Sequence, residues 1–337
     1  MKILLIQTAF LGDAVLTLPL LEKLSEKFPG SEIDVVSLPS TKEVFSLSPT
    51  VSNIIPFDKK GKEKSFTATL AFAFRLRKSN YDFVVSPHRS ARSAIIAFLT
   101  GAPVRISFDT ASLSFLYTEK AVYRKDYHEV ERNLSLISSG KELEQWKRIP
   151  RVVIPDTDRE TVASILNSNS LKRLALIAPG SVWETKKYPA EYFREIAKHF
   201  IGKGFSVGLI GGKEDAELCR EISDSGSGKI LNFCGKFTIP QSVELMKKAE
   251  ILITNDSAPT HLGVIAGTKV LTIYTSTVPE FGFYPYNEGS SYVSLDMDCK
   301  PCGIHGKTKC PLGHFNCGNN LKPETVIKKA EEMILKI

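Results

Sequence analysis

The sequence predicts an α/β protein built from two Rossmann-like, doubly wound domains that face each other across a cleft. Three observations indicate this fold class. The chain has 337 residues, more than one hydrophobic core usually accommodates. Short apolar runs of strand length alternate with helix-length amphipathic stretches, as in a parallel sheet covered by helices. This alternation occurs twice, once in each half of the chain.

The first half begins with a strand–helix–strand unit. A buried type of strand is predicted at 2–7, a glycine-containing turn and a helix at 13–28, and a second strand at 32–37. A later strand at 83–86 precedes a helix at 90–99. In such sheets ligands bind beyond the carboxyl ends of the strands, so functional residues are expected in the loops that follow them.

The second half repeats this order, and Pro240 suits the first turn of one of its helices, where a missing N–H costs nothing. The predicted strands are 174–178, 206–210, 251–254 and 270–274, and the helices are 190–203, 215–224, 239–248 and 259–266. The polar, proline-containing stretch 147–172 is interpreted as the domain junction, which predicts domains at 1–155 and 170–320. A final helix at 323–337 is expected to pack back on the first domain.

Composition and charge narrow the class of protein. Hydrophobic residues make up 42% and charged residues 24% of the chain, as in ordinary soluble domains. No apolar run approaches the roughly 20 residues of a membrane span, and the N-terminus lacks the apolar core of a secretory signal, so a cytoplasmic location is expected. The net charge of +7 favours an anionic partner. Because no nucleic-acid-binding signature is present, an acidic lipid or a phosphorylated substrate is favoured over nucleic acid.

The first candidate site follows the first strand, in the segment Phe10-Leu11-Gly12-Asp13. Gly12 lets a ligand approach the backbone closely, and the Asp13 carboxylate is placed to take a proton from an attacking hydroxyl. Capping of the following helix also explains an aspartate here. The segment lacks the full G-x-G-x-x-G pattern, which argues against a dinucleotide-dependent oxidoreductase.

A basic segment follows the strand at 83–86. Within it, His88, Arg89 and Arg92 are the candidate binding residues. Arginines three residues apart are expected to share a helix face, and guanidinium groups bind carboxylates and phosphates through paired hydrogen bonds. A surface charge pair is the alternative interpretation.

Two loops in the second half have the composition of a phosphate site. The loop 179–187 combines small residues that have free N–H groups with a hydroxyl at Ser181, the neighbouring Thr185, and lysines that include Lys186. A solvated basic loop is the alternative.

The second such loop lies between a strand and a helix. Its candidate residues are Asp256, Ser257, Ala258 and His261. An anion would meet Asp256 and Ser257 at the start of that helix. Helix capping and a packed histidine are the alternatives for single residues, whereas the whole group suits a phosphate and a sugar.

Four of the six cysteines crowd into 19 residues near the C-terminus. They are Cys299, Cys302, Cys310 and Cys317, with His305 and His314 among them. Four thiolates can bind structural zinc tetrahedrally, and free thiols are the alternative because cytosolic disulfides are uncommon. The two isolated cysteines, Cys219 and Cys234, are interpreted as buried thiols.

Taken together, these segments resemble the bacterial heptosyltransferases of lipopolysaccharide core synthesis, most closely the ADP-heptose–LPS heptosyltransferase II type. The specific runs are Gly-Ser-Val-Trp-Glu-Thr-Lys-Lys-Tyr-Pro at 180–189 and Asn-Asp-Ser-Ala-Pro at 255–259, followed by Cys-x-x-Cys and Cys-Pro-Leu-Gly-His-Phe-x-Cys. Their order and spacing extend over nearly the whole chain. The resemblance implies the GT-B fold, with the acceptor in the N-terminal domain and the nucleotide-sugar in the C-terminal domain. It also implies an inverting transfer of heptose from ADP-heptose, without a catalytic metal or other cofactor.

The resemblance also implies roles for individual residues. Asp13 would be the general base that activates the acceptor hydroxyl. Lys186 would hold the ADP diphosphate and stabilise it as the leaving group. The other donor-binding residues that it implies are Ser181, Asp256, Ser257, His261 and, for the adenosine ribose, Glu214. From their own chemistry, and not from the resemblance, the arginines of the basic segment are candidates for binding the acidic acceptor.

The implied acceptor, a lipid A–Kdo core, is anchored in the inner membrane by its lipid. Peripheral contact with the cytoplasmic face of that membrane is therefore expected. The stretch 59–78 mixes lysines with Phe66, Leu70, Phe72 and Phe74 and is one candidate for this contact. An ordinary helix packed on the first domain is the alternative.

Other functions are compatible with the same motifs. A heptosyltransferase I or III, or a relative that uses another acceptor, would differ only in a few ligand-contacting residues. A non-catalytic nucleotide-sugar-binding protein would have no use for a base at Asp13.

Overall fold

The computed structural model describes residues 1–169, 171, 173–224 and 230–335. The chain divides into two compact units, Met1–Val153 and Ile154–Ile337. Each unit is built on a six-stranded sheet whose strands pair in parallel with their neighbours. Among the described residues, no helix combines the length and the apolar character needed to cross a membrane.

The first unit places helices between the strands of its sheet. The strands are β1 (Lys2–Gln7), β2 (Glu32–Ser37), β3 (Asn53–Pro56), β4 (Phe83–Val85), β5 (Val104–Phe108) and β6 (Glu119–Ala121). The helices are α1 (Leu11–Lys27), α2 (Lys42–Ser46), α3 (Phe66–Arg77), α4 (Ala91–Leu99), α5 (Glu129–Ser135) and α6 (Lys141–Glu144). The sheet order is β3-β2-β1-β4-β5-β6, with Ile3 of β1 opposite Ile33 on one side and Phe83 on the other.

The second unit begins with a helix and then follows the same plan. The strands are β7 (Leu174–Ala178), β8 (Ser206–Leu209), β9 (Ile230–Asn232), β10 (Ile251–Asn255), β11 (Val270–Tyr274) and β12 (Ser291–Ser294). The helices are α7 (Asp156–Ser168), α8 (Ala190–Gly202), α9 (Ala216–Asp224), α10 (Ile239–Lys247), α11 (Ala258–Ala266), α12 (Asn316–Asn319) and α13 (Pro323–Leu335). The sheet order is β12-β11-β10-β7-β8-β9.

The two sheets have the same winding. In each, the first three strands run outward to one edge and the next three run outward to the other, the 3-2-1-4-5-6 order of a Rossmann fold. The prediction of two Rossmann-like, doubly wound domains is therefore confirmed. The order reverses between β1 and β4 in the first unit and between β7 and β10 in the second.

Central strands are buried on both faces, because helices cover each sheet on both sides. Every residue of β7 and β10 is buried, and so are Ile3 to Ile6 in β1. Their sequences consequently read as continuous apolar runs rather than as alternating ones. The edge strands β3 and β6 are short and partly exposed, so they lack this signal.

The boundary between the two units, after Val153, lies inside the stretch 147–172 that was interpreted as the domain junction. Two details of the second unit differ from the predictions. Helix α7 lies inside the stretch interpreted as a junction and packs on α10, where Gln241 Nε2 donates to Asp158 Oδ1 over 2.8 Å. Helix α13 was expected on the first domain, and this is wrong. Its Val326, Ala330 and Met333 are buried in the core of the second unit, because its apolar side packs against α8. Residues 336 and 337 of the predicted helix, and 170 and 172 of the predicted junction, lie outside the described residues.

Cys219 and Cys234 are buried, as expected, but they are not thiols. They form a disulfide that joins α9 to the loop after β9. The packing of α9 beside β9 brings the two residues together across a sequence separation of 15.

Candidate active site

The loops after four central strands hold most of the predicted site residues. In the first unit, the loops after β1 and β4 contain Asp13 and His88; we call this region the first-unit site. In the second unit, the loops after β7 and β10 contain Lys186 and Asp256; we call this region the second-unit site. Both lie where the strand order reverses, which is where open α/β sheets bind ligands.

Asp13 lies in the first turn of α1, just after Gly12, and its carboxylate caps that helix. The Phe10 N–H donates to Asp13 Oδ2 over 3.1 Å. Thr17 Oγ1 donates to the backbone carbonyl of Asp13 over 2.7 Å, which fixes the residue from the other side. The structure thus confirms that Asp13 caps α1. A carboxylate has about four acceptor positions, so this contact orients Asp13 and still permits it to accept a proton.

A second carboxylate, that of Glu129, belongs to the first-unit site. Glu129 is the first residue of α5, which packs on α1 and is tied to it by Asn133 Nδ2 donating to the Leu16 carbonyl over 3.1 Å. Glu129 Oε2 pairs with Arg132 Nη1 at 2.9 Å, and the two side chains are 14% and 2% exposed. Burial and, after it, the negative charge of Asp13 raise the pKa of Glu129 to about 7. The site therefore contains two electrostatically coupled carboxyl groups.

Two arginines flank Tyr123 beside these carboxyl groups. The guanidinium carbons of Arg89 and Arg132 lie 3.9 and 5.2 Å from the centre of the Tyr123 ring. Arg132 also donates to the carbonyl oxygens of Arg124 and Lys125, over 2.8 and 2.6 Å. A buried charge is tolerated when it is paired and hydrogen-bonded in this way. Arg132 is therefore paired and bonded to backbone, whereas Arg89 makes the shorter contact with the Tyr123 ring.

The prediction that Arg89 and Arg92 share a helix face is wrong. Ser90 caps α4, so Arg89 precedes the helix and turns toward the tyrosine ring. Arg92 lies within the helix and donates to the carbonyl oxygens of Lys59 and Lys64, over 3.1 and 2.7 Å. Arg92 therefore anchors a loop of the first unit.

His88 connects β1 to α4. Its Nδ1 lies 2.9 Å from Thr8 Oγ1 and 3.0 Å from Ser93 Oγ. Burial, followed by the positive charges of Lys59 and Arg89, lowers the pKa of His88 to about 4. The imidazole is therefore neutral near pH 7 and contributes hydrogen bonds rather than charge.

In the second-unit site the structure joins two predicted residues directly. Lys186 Nζ lies 2.6 Å from Asp256 Oδ2, and the side chains are 13% and 9% exposed. Thr277 Oγ1 donates to the same carboxylate oxygen over 2.7 Å. The ammonium group is thus held in one place, because its flexible stem ends on a fixed partner.

His261 is buried beside this ion pair. It is 5% exposed, and within the described part of the chain its Nδ1 has no hydrogen-bond partner. Burial and then the charge of Lys186 lower the pKa of His261 to about 3, so the ring is neutral. A buried polar atom without a partner is costly, which suggests that a ligand completes this hydrogen bond.

Thr185 is a framework residue of the second-unit site. Its hydroxyl accepts hydrogen bonds from Ser276 Oγ over 2.9 Å and from the Lys307 N–H over 2.8 Å. Thr275 Oγ1 donates to the Thr185 carbonyl over 2.7 Å. These contacts tie the loop after β7 to two later segments of the same unit. Ligand binding by the Thr185 hydroxyl would have to replace one of them.

Asn255 joins the two loops of the second-unit site. It is fully buried; its Oδ1 accepts from the Tyr188 N–H over 3.0 Å and its Nδ2 donates to the Pro179 carbonyl over 2.6 Å. Ser257 Oγ donates to the Gly180 carbonyl over 3.3 Å. The relative position of the two loops is therefore set by side-chain hydrogen bonds to backbone.

The other predicted donor residues lie around this framework. Ser181 Oγ accepts from the backbone N–H two residues later over 3.3 Å, and Ala258 is the first residue of α11, where backbone N–H groups have no helical partner. Glu214 is exposed, whereas its neighbour Asp215 is half-buried against the loop after β7. A Cβ atom on Gly180 would lie 2.1 Å from Asp215 Oδ1, so any larger residue there would displace the Asp215 carboxylate.

The four clustered cysteines are free thiols. In the described ranges, no three His, Cys, Asp or Glu side chains are grouped closely enough to bind a metal. This arrangement matches the free-thiol alternative, and structural zinc stays a prediction. Cys317 is buried in α12, while Cys302 Sγ turns to the Cys299 carbonyl at 3.7 Å. The segment is instead attached to the second-unit site, since the Cys302 N–H donates to the Ser276 carbonyl over 2.9 Å.

Sequence reasoning missed Glu129, Arg132 and Tyr123 in the first unit. They come from 123–132, a run dense in charged and aromatic residues that matches no motif. Their signal in the sequence was weak: a charged run that follows the short strand β6, and that strand was itself not predicted. In the second unit, sequence reasoning missed Asp215, whose half-buried carboxylate lies beside the phosphate-type loop, whereas the ribose-binding role of its exposed neighbour Glu214 stays a prediction.

Comparison with known proteins places the chain among glycosyltransferases. Lipooligosaccharide heptosyltransferase 2 of Campylobacter jejuni is 28% identical over 99% of this chain and 98% of its own length. Lipopolysaccharide heptosyltransferase 2 of Salmonella typhimurium is 25% identical over 83% of this chain and 84% of its own.

Solved structures share the fold. A glycosyltransferase family 9 protein of Veillonella parvula superposes with a TM-score of 0.87 at 24% identity, covering 100% of this chain and 98% of its own. The ADP-heptose LPS heptosyltransferase II of Escherichia coli superposes with a TM-score of 0.81 at 21% identity, and the superposition covers 100% of this chain and 99% of the E. coli chain. Residues 69–312 match glycosyltransferase family 9 (heptosyltransferase). With that match over most of its length and the GT-B fold of these neighbours, the chain belongs to glycosyltransferase family 9 and is a glycosyltransferase.

Proposed function

We propose that this protein transfers L-glycero-D-manno-heptose from ADP-heptose to the lipid A–Kdo inner core of lipopolysaccharide, with inversion, and that it adds the second heptose. The heptosyltransferases 2 that match most of the chain support the choice of the second heptose. An ADP-sugar donor is supported by an E. coli heptosyltransferase of similar fold that was solved with ADP and with ADP-2-deoxy-2-fluoro heptose. The mechanism proposed below uses side chains of this protein and no catalytic cofactor.

The observation that carries the proposal is the buried Lys186–Asp256 pair beside His261 Nδ1. A departing ADP develops negative charge on its diphosphate, and a fixed ammonium group in a partly dry site stabilises that charge. Asp256 orients Lys186 and, as an acceptor-only group, suits a sugar hydroxyl better than a phosphate. The neutral His261 ring supplies one more hydrogen bond to the donor.

The first-unit site supplies the base. Asp13 removes the proton from the acceptor hydroxyl as its oxygen attacks the anomeric carbon on the face opposite the diphosphate. The bond between the anomeric carbon and the phosphate oxygen breaks, and ADP leaves with the bonding electron pair. Glu129 and Arg132 set the charge around Asp13, and Arg89 binds an acidic group of the acceptor.

The proposed acceptor determines where in the cell the protein works. A lipid-anchored core oligosaccharide is reached only at a membrane surface, so the protein works at the cytoplasmic face of the inner membrane of a Gram-negative bacterium. Its net charge of +7 supports contact with anionic headgroups.

The test offers the purified protein ADP-heptose and two acceptors in parallel. One acceptor carries Kdo alone, and the other carries Kdo and a single heptose. Products are identified by mass, with and without a chelator, and the anomeric configuration of the new bond is determined by NMR.

Transfer to the mono-heptosylated acceptor alone, unaffected by chelator, is the expected result. Transfer to the Kdo-only acceptor would reassign the protein to the type that adds the first heptose. Failure with both acceptors would contradict ADP-heptose transfer to this core and would direct the search to other donors.

A further inference from the structure

One face of α3 is apolar and exposed. Thr69, Phe72, Ala73 and Leu76 point into the core of the first unit, yet Phe66 and Phe74 are 62% and 52% exposed. Phe66, Leu70 and Phe74 are spaced four residues apart, so they lie on one side of the helix. Packing on the first unit, the alternative given above for this helix, therefore explains Phe72 but does not explain Phe66 and Phe74.

Exposed phenylalanines also lie on the elements next to α3. Helix α3 packs on α4, and α4 packs on the short 3₁₀ turn Ser114–Leu116. Phe98 of α4 and Phe115 of the turn are 47% and 73% exposed. Of the five exposed phenylalanines among the described residues, these segments hold four. Isolated exposed apolar residues need no explanation, but a concentration on adjoining elements indicates a contact surface.

The same region carries the positive charge of the molecule. Residues 59–105 contain ten Lys and Arg and two Asp and Glu, a net charge of +8. The whole chain, with 44 basic and 37 acidic residues, carries +7, so the remainder is close to neutral. Six of these cations are exposed: Lys60, Lys62, Lys64, Arg75, Arg77 and Lys78. Within the described residues, Arg75 alone of these six pairs with a carboxylate, that of Glu63 at 3.5 Å.

Exposed phenylalanines bordered by unpaired lysines fit the interface of an anionic bilayer. Aromatic rings enter the headgroup region, while lysine and arginine reach its phosphates on long stems. A protein partner is the weaker fit, because lysine is depleted from protein–protein interfaces.

The loop 59–64 connects this face to the first-unit site. Arg92 donates to the carbonyl oxygens of Lys59 and Lys64, and Lys59 Nζ donates to the Thr8 carbonyl over 2.6 Å. Thr8 directly follows β1 and precedes the loop of Asp13. A membrane held by this face would therefore present lipid headgroups beside the residues proposed to bind the acceptor.

We propose that the exposed side of α3, the loop 59–64, Phe98 and Phe115, together called the α3–α4 face, docks on an anionic lipid bilayer. The proposal rests on the proposed function, since it names the surface on which that reaction takes place. It assigns the apolar contact to phenylalanines and the attraction to lysines, so the two contributions can be tested separately.

The test measures co-sedimentation of the full chain with vesicles of phosphatidylethanolamine and phosphatidylglycerol, and with vesicles of phosphatidylcholine alone. Wild type is expected to bind the anionic vesicles, and binding should weaken with salt. Lys62→Glu with Lys64→Glu, and separately Phe66→Ser with Phe74→Ser, should each weaken binding about tenfold or more. Lys198→Glu with Lys328→Glu, exposed lysines of the second unit, is the charge-matched control and should bind nearly as wild type does.

Equal binding to neutral and anionic vesicles, or equal losses in the control, would overturn the proposal. So would a concentration-dependent dimer that the Phe66→Ser, Phe74→Ser variant abolishes, because a second copy would then cover the face. Turnover with a delipidated, water-soluble acceptor separates the two proposals. Variants active on the soluble acceptor but impaired on acceptor in vesicles support docking, whereas vesicle binding without any heptose transfer would leave docking intact and refute the proposed function.

Discussion

Burial sets the protonation state of the residues that surround the two sites. Glu129 and His261 lose hydration on folding, which disfavours the charged form of each and moves the pKa of the acid up and that of the imidazole down. His88 behaves like His261 for the same reason. The charged groups near the proposed reacting groups are thus a few carboxylates and the cations Lys59, Arg89, Arg132 and Lys186, and each of these can be tested by substitution.

Asp13→Asn tests the base. Asparagine still accepts a hydrogen bond and caps α1, so folding should be preserved while proton removal is lost. We expect kcat to fall by about 10²–10⁴-fold and ADP affinity to stay unchanged. Steady-state kinetics and ADP titration measure these quantities, and thermal unfolding confirms that the cap is intact. Turnover like that of the wild type would eliminate Asp13 as the base.

Glu129→Gln tests the coupling between the two carboxyl groups. In the wild type, Glu129 ionises with a pKa of about 7, and its new negative charge increases the proton affinity of the neighbouring Asp13. The rate should therefore rise through an inflection near pH 7. In Glu129→Gln this inflection should disappear.

The pH profile of kcat/KM provides the measurement for this pair. Glu131→Gln, two residues further along α5 and partly exposed, is the control and should keep the inflection. An inflection near pH 7 that survives in Glu129→Gln would assign it to another group.

Lys186→Met tests whether the Lys186 ammonium group stabilises the departing diphosphate. Methionine keeps the length of the side chain and removes its charge, so the diphosphate loses its ammonium partner. We expect a loss of about 10²–10³-fold in kcat/KM and weaker ADP binding. Lys187→Met is the matched control, because Lys187 pairs with the exposed Glu184. Equal losses in the two variants would show that a general loss of positive charge, and not this contact, causes the effect.

At the scale of elements, each site is a pair of βα loops held by side chains that bind backbone. Asn255 does this in the second unit, with both of its amide atoms bonded to the loop after β7. In the first unit, Arg92 donates to a backbone carbonyl of the loop 59–64, and Lys59 of that loop donates to the carbonyl of Thr8, just after β1. Such contacts replace the regular hydrogen bonds that loops lack, and they position ligand groups on rigid elements.

Asn255→Ala should destabilise the protein. It leaves the buried Tyr188 N–H and Pro179 carbonyl without partners, and each loss costs about 1–3 kcal/mol, so unfolding should become easier by roughly 2–6 kcal/mol. Urea unfolding measures the change. Asn53→Ala removes one exposed side-chain hydrogen bond at a sheet edge, to Asp34, and should change stability by no more than about 0.5 kcal/mol. A similar small effect of Asn255→Ala would show that the loops are held by other contacts.

At the scale of the whole molecule, the two units share one winding and differ in chemistry. Each has a strand-order reversal that creates a place for a ligand. Acidic groups and arginines surround the first-unit site, and a lysine, a buried histidine and helix-start N–H groups surround the second-unit site. This division supports the proposal that the nucleotide binds to the second unit.

Hydrogen exchange with ADP tests that assignment. Protection is expected in the loops 179–187 and 255–261 of the second unit, and ADP at about 100 times its Kd should add roughly 2.7 kcal/mol to the stability of the state that binds it. The segment 10–13 of the first unit should exchange as in the free protein. Protection of 10–13 as strong as that of the second-unit loops would contradict the assignment.

The sequence by itself determined the repeated α/β pattern, the central strands and the loops that carry Asp13, Lys186 and Asp256. These were readable because a strand buried on both faces must be continuously apolar, and because polar residues directly after it lie at a binding edge. Edge strands such as β3 and β6 were missed, since half-exposed strands of three or four residues have no such pattern.

Only the tertiary structure decided which distant residues meet. It placed Glu129 beside Asp13, separated Arg89 from Arg92 at the start of α4, joined Cys219 to Cys234, and packed α13 into the core of the second unit. The physical reason is common to all four. The local sequence pattern indicates how deeply a residue is buried. Which residues become its neighbours depends on how the helices pack over the sheet. That packing involves residues that are far apart in the sequence.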